Sequence, residues 1–267
     1  MATKFQKFLE KKNLSKSTIS SYLWTISYFQ IQYEKIDRDS LLGYKGWLIE
    51  NFKPQTVNLR LQAINRYLEF IGKAYLKLKF VKVQQKNFLE RVVSNADYKF
   101  LKNKLKHDGY TAWYFVVWFL GATGARISEL LQIKAEHIEM GYLDMYTKGG
   151  KVRRLYIPKR LQKEAEKWLK SMCLYSGYIF INRYGKRITA RGVSQQLKYF
   201  AKKYGLNTNV IYPHSFRHRF AKNFLERFND ISLLADLMGH ESIETTRIYL
   251  RRSTGEQQSI VDEVVTW

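Results

Sequence analysis

The sequence predicts a mainly helical protein of two domains. A small N-terminal helical bundle precedes a larger, mostly helical domain that carries a small antiparallel β-sheet. Three observations predict this. Apolar residues recur at three- and four-residue spacing through most of the chain. That period fails over residues 73–86 (KAYLKLKFVKVQQK), and again in two short runs at 142–146 and 152–157 that flank a glycine pair. With 267 residues and 45% apolar content, the chain has enough material for two cores.

The elements follow in order. Phe5, Phe8 and Leu9 share one face of a first helix. Asn13-Leu14-Ser15-Lys16-Ser17 offers caps to a second helix, whose inner face is Ile19, Tyr22, Leu23, Ile26 and Phe29. Ser40 caps a third helix running to Leu48. Lys53-Pro54-Gln55-Thr56 starts a fourth, because proline suits the first turn, and Val57, Leu61, Ile64, Tyr67, Leu68 and Ile71 turn inward. These helices make the bundle of residues 1–75. Residues 76–90 read as a basic linker, with a short edge strand as the other reading.

The second domain, 91–267, opens with helices over 96–106 and 112–120. A turn around Gly121 and Gly124 leads to a helix bearing Arg126, Glu129, Leu130 and Leu131. Strands at 142–146 and 152–157 are joined through Lys148-Gly149-Gly150, a hairpin turn by composition. A second hairpin is expected within 179–188, with Tyr184-Gly185 at its tip. Helices are expected at 161–172, 190–204, 215–227, 231–238 and 242–250, before a tail at 253–267.

Charge is the strongest bulk property. Forty-six Lys and Arg against 23 Asp and Glu leave +23. Residues 1–90 hold 16 basic and 7 acidic side chains, and residues 91–267 hold 30 and 16. The excess is therefore spread over both domains rather than confined to a tail, which points to a nucleic-acid partner met by both. One cysteine, Cys173, excludes an intramolecular disulfide framework. The N-terminus lacks an apolar signal segment, and the longest apolar run, 112–122, is too short for a bilayer. The expectation is a soluble, cytoplasmic, DNA-associated protein that does not enter a membrane.

Six residues stand out. His214 and Arg217 lie one helical turn apart after Pro213 and can project from one face at a helix start, where free N–H groups favour an anion. Arg126 precedes Glu129 by three residues, and the acid can fix the arginine's rotamer. Lys148 sits at the hairpin tip, with Lys151 a competitor for any role there. His240 follows Gly239 at a helix end. Tyr249 lies nine residues beyond, and a phenol can attack phosphorus if cations stabilise the phenolate. Each alone has a bland reading, as a surface ion pair, a solvated lysine or one tyrosine among 19.

Together they are specific. The order R…K…HxxR…GH…Y, with the stretches TGARISELL, TKGGKVRRLYIP, HSFRHRFA and LMGHESIETTRIY, resembles the tyrosine recombinase (phage-type integrase) family. LSKSTISSYL resembles the family more weakly. Nearly the whole chain is covered, in the manner of a simple two-domain member, with the first domain of the core-binding type. One departure is Ala125, where many members carry a larger apolar residue.

The resemblance implies a site-specific recombinase that cuts and rejoins DNA through a 3′-phosphotyrosine, without metal, cofactor or ATP. Tyr249 would be the nucleophile and Lys148 the general acid for the 5′ oxygen. Arg126 and Arg217 would hold non-bridging oxygens, which a forked guanidinium does and lysine does not. His214 would assist the tyrosine's proton transfer, and His240 would donate to a phosphate oxygen. The partner would be double-stranded DNA, with self-association from dimer to tetramer in the synapse. Candidate DNA contacts are Lys16, Thr18, Thr56 and Arg60 in the first domain, and Arg187, Arg191 and Lys198 in the second. Ser17, and Gln55 and Asn58 on the helix start of Thr56, are further candidates. Two alternatives are a type IB topoisomerase-like enzyme, which would not need the tail, and a catalytically silent DNA-binding module.

Overall fold

The computed structural model describes residues 2–83, 92–146, 152–240, 242–250, 258, 261–265 and 267. The chain divides into two compact units, Met1–Gln85 and Lys86–Trp267.

The first unit is built from four helices: α1 (Ala2–Lys11), α2 (Lys16–Gln32), α3 (Arg38–Asn51) and α4 (Pro54–Phe70). Ser15 caps α2 through the amide of Thr18, and Pro54 opens α4. The third helix departs from expectation. Its cap is Asp37, which accepts from the Ser40 amide at 2.9 Å, so α3 begins three residues earlier than a Ser40 cap would allow. An anionic acceptor also suits the positive end of the helix dipole. Phe5, Phe29, Leu41, Tyr44, Leu61 and Leu68 fill the core at no more than 1% exposure.

The segment expected as the linker's first part belongs to this unit. A short 3₁₀ turn, Ala74–Leu76, is followed by chain that two amides of α4 hold down. Asn65 pairs with both the carbonyl and the amide of Leu78 at 2.9 and 2.8 Å, as a neighbouring strand would. Asn58 does the same to Val81, at 2.9 Å in each direction. The two asparagines stand seven residues apart, two turns of one face, and Leu78 drops into the core at 4% exposure. Residues 84–90 of the expected linker lie outside the described residues.

The second unit contains α5 (Asn95–His107), α6 (Thr111–Thr123), α7 (Ile127–Leu130), α8 (Ala135–Met140), strands β1 (Tyr142–Tyr146) and β2 (Val152–Tyr156), α9 (Lys159–Ser171), α10 (Ala190–Lys203), α11 (Pro213–Phe228), α12 (Ile231–Met238) and α13 (Ile243–Arg247). A 3₁₀ turn, Ile248–Leu250, follows, so the helix expected over 242–250 changes form before Tyr249. The strands pair antiparallel with Met145 opposite Arg153 and Asp144 opposite Arg154. Leu143, Met145, Arg153 and Leu155 take the buried face. Asp144 and Arg154 take the other face and join by two 2.7 Å bonds. The second expected hairpin is reduced to a single bridge, Ile181 with Arg187. Apolar α6 is the central post, with Phe115, Val116, Val117, Phe119 and Leu120 all buried.

Candidate active site

Four chain segments converge on one cluster in the second unit. The first is the end of α6. Gly124 turns the chain at φ +63°, and a Cβ there would lie 2.5 Å from the ring of Phe220 on α11. Glycine is therefore required both for the left-handed turn and for close packing. The turn delivers Arg126 as the residue before α7. Its amide donates to Glu129 at 2.7 Å, and its guanidinium donates to the same carboxylate at 2.8 Å and to the Gly239 carbonyl at 3.2 Å. Glu129 is 8% exposed, while the Arg126 side chain keeps 39% of its surface. Burial raises the Glu129 carboxyl, but the charge of Arg153 and hydrogen bonds from Arg153 and Arg126 outweigh it, so it titrates below the ordinary range.

The second segment is α11, opened by Pro213. Arg217 is 1% exposed and donates to the Gly124 carbonyl at 2.6 Å and to the Met238 carbonyl at 2.5 Å. Burial first, then Arg126 and Arg153, lowers it to about 10, and it remains a cation at neutral pH. His214 lies one turn before it and stacks on His218, ring centres 4.8 Å apart. Desolvation and then Arg217 hold His214 below the ordinary histidine range.

The third segment is the end of α12. Gly239 closes the helix at φ +61°, and the His240 amide caps back to Ala235 at 3.0 Å. The His240 ring is held from both sides, by Thr246 at 2.7 Å on Nδ1 and by Arg217 at 3.1 Å on Nε2. Arginine only donates, so Nε2 accepts here and Nδ1 carries the proton. Burial and then the charges of Arg217 and Arg126 lower this histidine to about 4. The sequence reading had His240 as a donor to phosphate. In this state it presents a lone pair, because the nearest group is a cation.

The fourth segment is the turn holding Tyr249, at 5% exposure, against Ala221, Leu225, Leu234 and Met238. Its ring lies 6.2 Å from His240 and 5.4 Å from His218. Desolvation raises its hydroxyl above the usual value, opposed by Arg217, which hydrogen-bonds to it, and by Arg126.

Arg126, Glu129, His214, Arg217, His240 and Tyr249 are thus brought together. Lys148 and its competitor Lys151 lie outside the described residues. Lys16 is exposed at the start of α2, while Thr18 and Thr56 are half-buried. Arg60 lies 4.1 Å over the Trp24 ring and donates to Thr25 at 2.6 Å. Arg187 and Arg191 are exposed around the start of α10, and Lys198 is exposed further along it. Asn58 is committed to Val81, which removes it from the DNA-contact candidates.

Two residues escaped the sequence reading. His218, left there without a role, is sandwiched between His214 and Tyr249, and burial lowers it to about 4. Its position at i+4 from His214 was the available signal. Arg153 is 5% exposed and pairs with Glu129. The alternation of VRRLYI already places it on the face of Leu155 and Ile157, and a charge on a core face demands an explanation.

Arg217, buried and hydrogen-bonded to the Tyr249 hydroxyl, and the more open Arg126 share one cluster with three histidines, an arrangement that suits phosphoryl transfer to a phenol. The comparisons name the class more closely. Residues 85–256 match the phage integrase family, and the chain belongs to that family, the tyrosine recombinases. It is an enzyme, a site-specific DNA recombinase. The tyrosine recombinase XerA of Pyrococcus furiosus is 31% identical over 259 residues, which span 92% of this chain and 87% of XerA. Two solved structures share the fold. A Tn1549 transposon integrase with circular intermediate DNA superimposes with a TM-score of 0.72 at 17% identity, over 98% of each chain. The XerH recombinase bound to difH also gives 0.72, at 20% identity over 98% of this chain and 84% of XerH. Among the described residues no helix is long and apolar enough to cross a membrane.

Proposed function

We propose that the chain cuts and rejoins double-stranded DNA through a covalent bond between Tyr249 and a 3′ phosphate. The observation that carries this reading is the contact of Tyr249 with Arg217 inside a cluster that also holds Arg126, His214 and His240. A raised phenol is a poor nucleophile by itself, so the proton must leave as the bond to phosphorus forms. His214 and His218 are neutral at pH 7, because burial and the charge of Arg217 depress both, and either can take it. Arg126, the more open arginine, meets the phosphate first. Arg217 then transfers to phosphate oxygens the donors it now directs at Tyr249. A phosphate beside His240 counters the cations that keep this ring neutral, and the ring becomes the donor that the family pattern implies. Lys148 protonates the departing 5′ oxygen. The phosphotyrosine conserves the bond energy, so a 5′ hydroxyl from another strand reverses the step without ATP.

The two units serve as core-binding and catalytic domains on duplex DNA, in the cytoplasm. Lys16, Thr18, Thr56, Arg60, Arg187, Arg191 and Lys198 supply backbone and groove contacts. The enzyme works as a dimer to tetramer on DNA. Residues 261–264 are helical and leave Val261, Val264, Val265 and Trp267 exposed, a surface fit to dock on a neighbouring subunit. The test is a nicked duplex bearing the site that the protein selects from a random-sequence library. The expected result is a protein–DNA adduct on a denaturing gel, with the phosphate on Tyr249. An adduct on another residue overturns the reading.

A further inference from the structure

We propose that Arg153 is a positioning residue for the strand-cutting reaction. It acts as the counter-ion that neutralises Glu129, and as the brace under the corner that carries His240. The inference rests on the reading of the site just given and adds to it a residue that never meets the phosphate.

The geometry assigns both parts. From β2, the Arg153 side chain enters the interior opposite Met145 and ion-pairs with Glu129. Its Nε and Nη2 both donate to the Leu237 carbonyl, at 3.1 and 2.7 Å, near the end of α12. Two residues on, Gly239 lies directly over the side chain, and a Cβ there would come within 2.2 Å of Arg153 Cδ. One side chain therefore ties β2, α7 and the corner before His240 together.

The charge count explains why an arginine is needed. Glu129 touches Arg126 at 2.8 Å and lies 3.8 Å from Arg217, the two groups that must grip a phosphate. Alone with those two, the carboxylate would cancel one of them and compete with the phosphate for both forks, in a buried setting that magnifies such competition. Arg153 is walled off at 5% exposure, so it offsets Glu129 without becoming a ligand itself. Glu129 can then orient Arg126 while both outer charges stay available. Lysine would keep the charge but lose the fork on Leu237. Methionine would lose both.

Single-turnover cleavage of the nicked duplex at saturating protein, with DNA affinity measured separately, tests this. Wild type forms the Tyr249 adduct. R153M cleaves about 10- to 100-fold more slowly, the usual cost of removing a group that orients a reacting one, while DNA affinity stays within about threefold. R153K falls between the two. E129Q/R153M cleaves faster than R153M, because the carboxylate left without its counter-ion is gone. A purely structural arginine would give a double variant no better than R153M. If R153M does not fold, R153Q and E129Q/R153Q replace it, since glutamine can still donate to Leu237 without charge. Absence of a wild-type adduct overturns the reading of the site and this inference with it. A wild-type adduct together with undiminished R153M, or with no gain in the double variant, overturns this inference alone.

Discussion

The two units bury polar groups in different ways, and the difference separates holding from reacting. In the first unit the amides of buried Asn65 and half-buried Asn58 spend both ends on the backbone of one neighbouring segment. They are neutral, fully paired, and need nothing from outside. In the second unit three charged groups are buried: Arg153, Arg217 and Glu129 lie together, with Arg126 at their edge. Three guanidinium groups around one carboxylate leave a surplus of positive charge in low dielectric. Such a surplus is costly in the free protein and favours an anion. A pair of fully bonded amides marks a strap, and an unbalanced buried ion cluster marks a site.

Experiments can break that contrast. The largest effect is expected from Tyr249→Phe, which removes only the oxygen proposed as the nucleophile. Covalent attachment on the nicked duplex falls to nothing detectable while binding stays within a few-fold, and a persisting adduct would move the nucleophile elsewhere. Arg126→Lys and Arg217→Lys each slow cleavage by roughly 100-fold or more, the scale of one lost preorganised donor. They part company in stability: Arg217→Lys lowers the melting temperature because two main-chain carbonyls lose their donor, whereas the half-exposed Arg126 does so much less. Lys148→Ala is rescued when the 5′ leaving oxygen is replaced by sulfur, since a thiolate departs without a proton. Equal defects on both substrates would assign the role to Lys151 or another donor.

Asn65→Ala should destabilise the first unit by about 1–3 kcal/mol, the cost of leaving buried backbone groups unpaired, with cleavage at saturating protein unchanged. Loss of cleavage without loss of stability would contradict the strap. The mildest effect is on pH. His218 and His240 titrate near 4 when folded, below an unfolded value near 6.5. The unfolded chain therefore binds more protons between those values, and stability falls as pH drops from about 6.5 to about 4. All five histidines lie in the second unit. Hydrogen exchange over this window should quicken in α11 and α12 while α2 and α4 stay protected.

Periodicity carried the helices because long amphipathic runs such as α4 leave little choice of inner face. It failed where structure is short or set by one side chain. Six residues of α8 cannot show a period, and its markers are local: the Lys134 amide on His137 at 3.1 Å and Gly141 at φ +79°. The strap at residues 77–81 was invisible because a basic, alternating segment looks solvated until Asn58 and Asn65 are known to face it. The site residues were legible as an ordered motif, yet their state was not. No spacing shows that Arg217 is buried and bonded to Tyr249, or that His240 turns a lone pair toward a cation. Arg153 was legible in the strand alternation and passed over because a basic chain makes any arginine look ordinary.

Arg217 has an evolutionary consequence through the two carbonyls it clamps, Gly124 and Met238. The guanidinium proposed to grip the phosphate also joins the end of α6 to the end of α12. Selection for a folded chain and selection for a cutting one therefore act on it together. A descendant that kept only DNA binding would be free to lose the Tyr249 hydroxyl at little structural cost. It would still retain this arginine, so its presence in a relative is weak testimony to activity. The tyrosine's hydroxyl is the better witness.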